Sequence, residues 1–258
     1  MEKISVVIIT LNEERNIKRC LDSIISVADE IIVVDSMSTD KTEQICSTYN
    51  VRFVKHAFEG YIEQKNFALS LAKNKLVLSL DADEALSDEL KNSITEVKNN
   101  LSASGYTMNR LTNYCGHWVK HCGWYPDRKL RLFIANLGSW GGINPHDKFI
   151  FHKKESVVHL KGDLLHYSYY TIDEHYKQSE KFSNIAAQSY FENNKKATWI
   201  KLWINPAVKF LRDYFFKFGF LDGSTGFKIC YISASATHDK YKKLKNIYKS
   251  KKDNLAIK

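Results

Sequence analysis

Short apolar runs separated by helical patterns dominate the first part of this chain. The runs Ile4–Thr10 and Glu30–Asp35 are rich in β-branched residues, and Leu76–Leu80 is apolar with one interruption. Such runs are typical of buried strands, and strands that alternate with helices form right-handed βαβ units. The sequence therefore predicts an α/β fold with a doubly wound, mostly parallel sheet.

Two carboxylates follow the third of these strands directly. Asp81 and Asp83 are one residue apart, so alternation along the strand predicts that both side chains point the same way. Neighbouring carboxylates repel each other unless a cation or hydrogen-bond donors compensate, and Mg²⁺ or Mn²⁺ prefers such oxygens. The pair predicts a metal or ligand site at the carboxyl edge of the sheet. A solvated acidic turn that caps the next helix is the alternative.

The connection after the first strand contains no glycine, which argues against a dinucleotide-binding fingerprint. Asn12 is instead predicted to cap a helix whose first turn holds Glu13 and Glu14.

Three motifs in the first 100 residues carry a family resemblance. In order they are SVVIITLNEERNIKRCLDSI, EIIVVDSMSTDKT and YIEQKNFALSLAKNKLVLSLDADE. Together they resemble glycosyltransferase family 2, whose members have the GT-A fold, a Rossmann-like and mostly parallel sheet. The resemblance implies a nucleotide-diphospho-sugar donor and a Mg²⁺ or Mn²⁺ cofactor.

The resemblance also implies roles for residues of this chain. The expected nucleotide-sugar contacts are Thr10, Asn12, Glu13, Asp35, Lys65 and Asp81. Asp83 and Asp81 match the metal-binding D-x-D, and His166 matches a position near the metal or the phosphates. A histidine with a purely structural role is the alternative for His166.

The stretch Trp140–Asp147 is the second informative segment. Its glycines and proline predict a turn rather than a strand or helix, and the pair His146-Asp147 follows. In the family that the chain resembles, such a pair lies beside the acceptor. Asp147 is therefore the expected general base and His146 an acceptor contact, with a turn hydrogen bond as the alternative for Asp147.

Two further groups of side chains are ambiguous. Arg128 and Arg131 are candidates for a phosphate contact, although a surface salt bridge fits either of them as well. The cluster Cys115, His117, His121 and Cys122 suggests zinc, but its spacing is not that of a standard zinc finger.

The C-terminal part of the chain differs in composition. Lys195–Lys258 contains 15 Lys and Arg against 4 Asp and Glu, whereas the whole chain has a net charge of +9. Such asymmetry indicates an anionic partner, either nucleic acid or membrane. A helix is predicted to begin at Asn205-Pro206 and to run to Phe218, with aromatic residues between basic ones. This interleaving favours an anionic membrane surface and no nucleic-acid partner. Packing on the core or on a second subunit, as in a homodimer, is the alternative.

These observations predict two domains. Residues 1–194 would form the GT-A domain, with a nucleotide-binding half (1–100) and an acceptor half (101–194), and residues 195–258 a basic amphipathic helical appendage. The N-terminal segment does not have the pattern of a signal peptide, and no apolar stretch is long enough to span a bilayer. We expect a cytoplasmic protein that is peripheral on the inner face of the cell membrane.

The resemblance implies an inverting, metal-dependent transfer of a hexose, with glucose from UDP-glucose as the expected donor. The resemblance implies a saccharide acceptor of lipopolysaccharide core or another lipid-linked glycan. Two alternatives of other classes remain: a metal-dependent phosphohydrolase with Asp81 as its nucleophile, and a non-catalytic membrane or nucleic-acid binder with a transferase-like fold.

Overall fold

A computed structural model describes residues 1–143 and 146–256. Its strands are Ile4–Thr10 (β1), Glu30–Asp35 (β2), Arg52–Lys55 (β3), Leu76–Asp81 (β4), Glu84–Leu86 (β5), Gly105–Tyr114 (β6), His117–Val119 (β7), Asp127–Ile134 (β8), Gly138–Ile143 (β9), His146–Phe151 (β10) and Val157–Tyr169 (β11). Its helices are Ile17–Ile24 (α1), Thr42–Cys46 (α2), Tyr61–Ser70 (α3), Asp88–Asn99 (α4), Ile172–Glu192 (α5), Trp199–Leu211 (α6) and Gly223–Ala256 (α7).

The chain divides into two compact units. The first contains Met1–Leu111 and Pro126–Tyr167, and the second contains Thr112–Tyr125 and the chain from Ser168 onward. These units are compact in space, whereas the predicted domains of residues 1–194 and 195–258 are distinguished by their expected function. That functional division stays a prediction.

The sheet of the first unit runs in the order β3-β2-β1-β4-β8-β6-β11-β5. Strands β3, β2, β1 and β4 are parallel to their neighbours, whereas β8 pairs with β4, and β6 with β8, in the antiparallel sense. Strands β9 and β10 form a separate antiparallel hairpin. The predicted α/β fold with a mostly parallel sheet is thereby confirmed.

Helices cover both faces of the parallel strands. Alternation along β1 places Ile4, Val6 and Ile8 in one hydrophobic cluster, together with residues of α1 and α4. Val7 faces the other way and packs in a second cluster with Ala68 of α3. Burial on both faces explains why β1, β2 and β4 are predominantly apolar, without the polar alternation of a half-exposed strand.

Two predicted details of the first unit are wrong. Asn12 does not cap a helix, because α1 begins only at Ile17 and Asn12 adopts a left-handed backbone conformation with φ of 55°. Its side-chain oxygen instead accepts the backbone N–H of Thr39 at 2.8 Å. The segment Gly138–Ile143 is a strand and not a turn, because pairing with β10 satisfies its backbone groups despite the glycines.

In the second unit, α6 packs against α7, as α5 does. The predicted start of α6 at Asn205-Pro206 is wrong: α6 begins at Trp199, where the Thr198 side chain accepts the N–H of Lys201, and Pro206 lies inside the helix. A proline inside a helix removes one backbone hydrogen bond and crowds the carbonyl four residues earlier, so the packing of α6 against α7 has to offset this cost. A π-helical turn over Arg212–Phe216 follows α6.

None of the described helices combines the length and the apolar character that crossing a bilayer requires.

Candidate active site

The carboxyl ends of three parallel strands bring the predicted polar residues to one edge of the sheet. Thr10 of β1 lies opposite Asp35 of β2, and Ile9 lies opposite Asp81 of β4. The strands end together because the parallel register aligns them residue by residue. This edge is the position at which open α/β sheets bind their ligands.

Asp81 lies between two cationic side chains. Its carboxylate is 3.0 Å from Nζ of Lys65 and 2.7 Å from the guanidinium of Arg131. Burial alone would raise the pKa of Asp81, but Arg131 and Lys65 outweigh burial and hold this pKa well below its ordinary value. Asp81 is therefore an ionised carboxylate whose charge is already compensated within the protein.

Glu84 belongs to the same ion-pair network, and the sequence reasoning missed it. It is fully buried, accepts the backbone N–H of Asp81 at 3.0 Å, and lies 2.7 Å from the Arg131 guanidinium. Arg110 approaches Glu84 from another direction at 3.7 Å. In the sequence, Glu84 is visible only as an acid directly after the D-x-D. Its role depends on Arg131, which lies 47 positions further along the chain.

Arg131 is therefore committed to internal ion pairs. Only 4% of its surface is exposed, and its terminal nitrogen is shared by Asp81 and Glu84. This placement argues against the expected phosphate contact, because a phosphate would have to displace two carboxylates from a buried guanidinium. Arg128 of the same strand is exposed, and its expected contact with the acceptor or a phosphate stays a prediction.

Asp83 and His166 form a second pair at this edge. Strand β4 ends at Asp81, so Asp83 lies in the turn that follows and strand alternation does not orient it. Antiparallel pairing of β5 with β11 places His166 opposite Glu84, and the N–H of Tyr167 donates to the Asp83 carbonyl. Nε2 of His166 is 3.1 Å from the Asp83 carboxylate. Two potential metal ligands from distant parts of the chain therefore lie side by side.

Glu13 lies close to this pair and has an unusual ionisation. Burial and, second, the charge of Asp83 raise the pKa of Glu13 from 4.5 to about 7. A hydrogen bond from the Asn16 amide to the Glu13 carboxylate, 2.7 Å long, opposes this shift without cancelling it. Acidic groups thus face one another across the turns after β1 and β4, as expected for a place that receives a cation.

The loop after β2 is held by two of the predicted nucleotide contacts. Asp35 is fully buried, and its carboxylate accepts both the N–H and the hydroxyl of Ser38. Asn12 accepts from Thr39 of the same loop. Among the described residues, the buried hydroxyl of Thr10 has no hydrogen-bond partner. An unpaired buried hydroxyl is costly unless a ligand completes its bonds, which supports Thr10 as a contact of the donor.

Asp147 of β10 is held by Lys65 of α3. The two charged groups are 2.7 Å apart, with exposed side-chain fractions of 11% for Asp147 and 3% for Lys65. The neighbouring Asn66 fixes the same hairpin, because its side-chain amide both donates to and accepts from the backbone of Trp140, each at 2.9 Å. The Lys65 ammonium in turn lies over the Trp140 ring, with Nζ 4.7 Å from the ring centroid. Helix α3 therefore positions the expected general base through two consecutive residues.

Tyr61, at the start of α3, was also missed from the sequence. Burial raises the pKa of this phenol, followed by the charges of Asp81, Asp147 and Asp83. The charges of all three predicted acids therefore act on this partly exposed phenol. No local pattern distinguishes this tyrosine from the other 13 in the sequence.

Two predictions remain: His146 as an acceptor contact, and the cysteine and histidine cluster as a zinc site. The side chain of His146 lies outside the described residues. In the second unit, His121 is 3.0 Å and His117 is 3.5 Å from the Asp222 carboxylate. The described part of the chain holds no group of three or more metal-ligating side chains, so neither a zinc site nor a complete metal cage is formed by protein groups there.

A mostly parallel sheet with polar residues at its carboxyl edge is typical of α/β proteins that bind a ligand at that edge. The chain belongs to glycosyl transferase family 2, whose sequence model matches residues 5–153, more than half of its length. It is thus a glycosyltransferase, and the GT-A fold expected from the resemblance is confirmed.

Similar proteins agree with this assignment. An uncharacterized glycosyltransferase of Rickettsia typhi is 32% identical over 96% of this chain and 88% of its own. The lipopolysaccharide core biosynthesis glycosyltransferase LpsC of Rhizobium meliloti is 29% identical over 92% of this chain and 93% of its own. Among solved structures, S. aureus TarS 1–349 has a TM-score of 0.47 and 17% identity over 96% of this chain and 91% of that one.

Proposed function

We propose that this glycosyltransferase moves a hexose, with glucose from UDP-glucose as the first donor to test, onto a saccharide of lipopolysaccharide core or another lipid-linked glycan. The reaction would invert the configuration at the anomeric carbon and depend on Mg²⁺ or Mn²⁺. The observation that carries the proposal is the pair Asp83–His166 beside the compensated Asp81, at the carboxyl edge of the sheet. The lipopolysaccharide-related name of the Rhizobium relative supports the class of acceptor.

The donor set fits a divalent cation that a nucleotide completes. In an octahedral shell with bonds of about 2.1 Å, adjacent ligand atoms are about 3 Å apart. The separation of 3.1 Å between Nε2 of His166 and the Asp83 carboxylate matches such an edge. An imidazole ligand favours Mn²⁺ over Mg²⁺. Two protein ligands alone bind weakly, so the diphosphate of the donor would supply further ligands.

A divalent cation held there would stabilise the negative charge that develops on the departing diphosphate. Asp81 does not take part as a metal ligand in this proposal, because Arg131 and Lys65 already compensate its charge. It instead presents a fixed carboxylate that accepts hydrogen bonds from the nucleotide sugar. Thr10, Asn12 and Glu13 complete the proposed donor contacts, and Asp35 shapes the loop beside them through Ser38. Lys65 is buried between Asp81 and Asp147, as Arg131 is between Asp81 and Glu84, so its proposed role is to position those carboxylates at the donor.

Asp147 is the proposed general base. Its carboxylate would take the proton of the acceptor hydroxyl while the acceptor oxygen bonds to the anomeric carbon and the bond to the diphosphate oxygen breaks. Lys65 and, through Trp140, Asn66 orient the strand that carries this carboxylate. The orientation matters because an in-line displacement requires the base on the side opposite the leaving group.

The proposed acceptor would be anchored in a lipid bilayer. We therefore propose that the chain works in the cytoplasm as a peripheral protein at an anionic membrane, on its inner face. The basic C-terminal composition of the sequence supports this location.

The two alternative functions have less support. Family membership favours sugar transfer over both phosphate-ester hydrolysis and passive binding. In addition, Asp81 would be a poor nucleophile in a phosphohydrolase, because two cations hold its carboxylate in an internal network. Release of phosphate from simple monoesters would reverse this preference.

A thermal-shift screen with and without Mn²⁺ tests the donor and the metal. A ligand that binds only the folded protein raises its melting temperature, so UDP-glucose with Mn²⁺ should stabilise the protein more than either component alone. Asp83→Asn should abolish this synergy and sugar transfer, whereas Asp88→Asn, which removes an exposed carboxylate of α4, should preserve both. Stabilisation by another nucleotide sugar would correct the donor, and full activity in excess EDTA would contradict the metal.

A further inference from the structure

An unusually large apolar surface is exposed in the second unit. Helix α6, the turns after it and the start of α7 expose bulky apolar side chains, among them Trp199 at 69% and Phe216 at 79%. We call this set the aromatic face; it consists of Trp199, Ile200, Trp203, Ile204, Val208, Leu211, Phe215, Phe216, Phe218, Phe220, Leu221, Phe227 and Tyr231. Extended exposed apolar surfaces of this kind mark interaction sites.

The members of the aromatic face follow one another along the surface. Ile200, Ile204, Val208 and Leu211 recur at helical spacing and form one exposed stripe of α6. Beyond α6, the ring of Tyr214 contacts the rings of three members: Phe215 and Phe220 of the turns and Phe227 of α7. The aromatic face therefore contains one stripe along α6 and one cluster of rings that joins the turns to the start of α7.

The charges on this segment have one sign. From Asn194 to Thr237 the only acidic residues are Asp213 and Asp222, and both are buried. Asp213 is paired internally with Lys209 and Arg212, and the partly exposed ammonium of Lys217 lies 3.6 Å from it. The exposed charged side chains are therefore basic, and Lys217 and Lys228 lie within the sequence of the aromatic face itself.

We propose that the aromatic face binds the surface of an anionic lipid bilayer, with its apolar side chains inserted at the headgroup boundary and its lysines on the lipid phosphates. The inference deepens the proposed membrane-bound acceptor by assigning the contact to a defined surface. Aromatic and aliphatic side chains with basic flanks are the composition of interfacial membrane helices. A bilayer fits better than a second copy of this chain, because a symmetric dimer would bring two cationic surfaces together.

The lysine-rich end of α7 makes a different set of contacts. Nζ of Lys243 donates to Ser183 of α5, and Lys240 lies over the ring of Tyr190. These contacts direct part of the C-terminal positive charge toward α5 within the second unit. The excess of lysine in the sequence is thus a poorer guide to the membrane contact than the exposed apolar residues.

Vesicle co-sedimentation of the full chain, without donor or acceptor, tests the surface. The wild type should bind vesicles of phosphatidylglycerol and phosphatidylcholine, and binding should weaken at high salt. Phe216→Ser combined with Leu221→Ser should lower the partition constant by about tenfold or more, as expected for losing two inserted apolar side chains. Phe182→Ser combined with Ile185→Ser is the matched control, because both residues are exposed on α5, outside the aromatic face.

A second pair of variants separates position from total charge. Lys217→Gln with Lys228→Gln removes two charges from the aromatic face, and Lys245→Gln with Lys249→Gln removes two from the exposed end of α7. We expect a loss of vesicle binding in the first pair and little change in the second. Equal losses in both pairs, unchanged binding of the Phe216/Leu221 variant, or no binding by the wild type would overturn the proposal. A wild-type dimer that the Phe216/Leu221 variant abolishes, without vesicle binding, would assign the surface to a second copy.

Because the assay contains no sugar nucleotide, a failure here leaves the transferase proposal unaffected. Conversely, an error in the donor or metal assignment does not alter the vesicle result.

Discussion

Glu13→Gln is expected to stabilise the metal-free protein at neutral and alkaline pH. In the folded chain the pKa of Glu13 is about 7, raised from 4.5 by burial and then by the charge of Asp83. A pKa unit corresponds to about 1.4 kcal/mol, so this shift amounts to about 3 kcal/mol. Glutamine resembles the protonated acid and keeps an oxygen for the Asn16 amide, so the variant removes the cost of ionising a buried carboxyl group.

The sign of the pH dependence follows from the direction of the shift. Because the folded pKa is raised, the folded state binds more protons than the unfolded state between pH 4.5 and about 7. The free energy of unfolding of the wild type therefore falls through this interval, relative to the variant, and the difference is constant above it. Below pH 4.5 both states are protonated, and wild type and variant should be equally stable.

Urea unfolding across this pH interval, in the presence of EDTA, measures the difference. Glu14→Gln, which removes an exposed carboxylate from the same loop, controls for the change in net charge. A stability difference between wild type and Glu13→Gln that does not vary with pH would refute the reasoning. Because Glu13 is a proposed donor contact, the stabilised variant should also bind its nucleotide sugar more weakly, as in other stability–function trade-offs.

Three further predictions concern the site. Asp147→Asn should lower kcat by about 10²–10⁴-fold, the usual effect of losing a general base, while donor affinity measured by calorimetry changes little; normal turnover with lost donor binding would make Asp147 a donor contact. His166→Ala should raise the Mn²⁺ concentration needed for half-maximal activity, because one of the two proposed protein ligands is lost. An unchanged Mn²⁺ titration would remove His166 from the proposed metal site. Arg131→Met should destabilise the fold by about 3–5 kcal/mol, because it leaves the buried Glu84 without its closest cation. Urea unfolding would detect this loss, with a substitution of the exposed Arg128, Arg128→Met, as the control. Equal stability of the two variants would contradict the ion-pair network.

The local pattern of residues was sufficient to predict the main parallel strands of the sheet. Strands β1 and β2 begin and end where their apolar runs predicted, because a strand that is buried on both faces needs apolar residues along its whole length. The capping box of Thr171 and Glu174 at the start of α5 is likewise a local feature, since all its groups lie within one helical turn. By contrast, β9 contains the glycines that usually mark a turn, and only its pairing with β10 makes it a strand.

The acidic composition of the candidate site was likewise visible in the sequence, because carboxylates at the ends of parallel strands must meet at one edge. Which carboxylate is compensated and which remains for a metal was not visible. Asp81 and Asp83 are equivalent as letters, yet Arg131 reaches the first and His166 the second, from strands 50 and 83 positions further along the chain. Strand pairing sets those distances, and no local pattern encodes it.

The sequence alone thus determined the fold class, the family and the chemical type of the site, since periodicity and motif order are local properties of the chain. The tertiary structure decided the charge partners of each acid, the raised pKa of Glu13 and the exposure of the aromatic face. The free energy of a charged or apolar side chain depends on its solvent exposure and on its neighbours in space. In this chain those neighbours come from segments far apart in sequence, and packing alone brings them together.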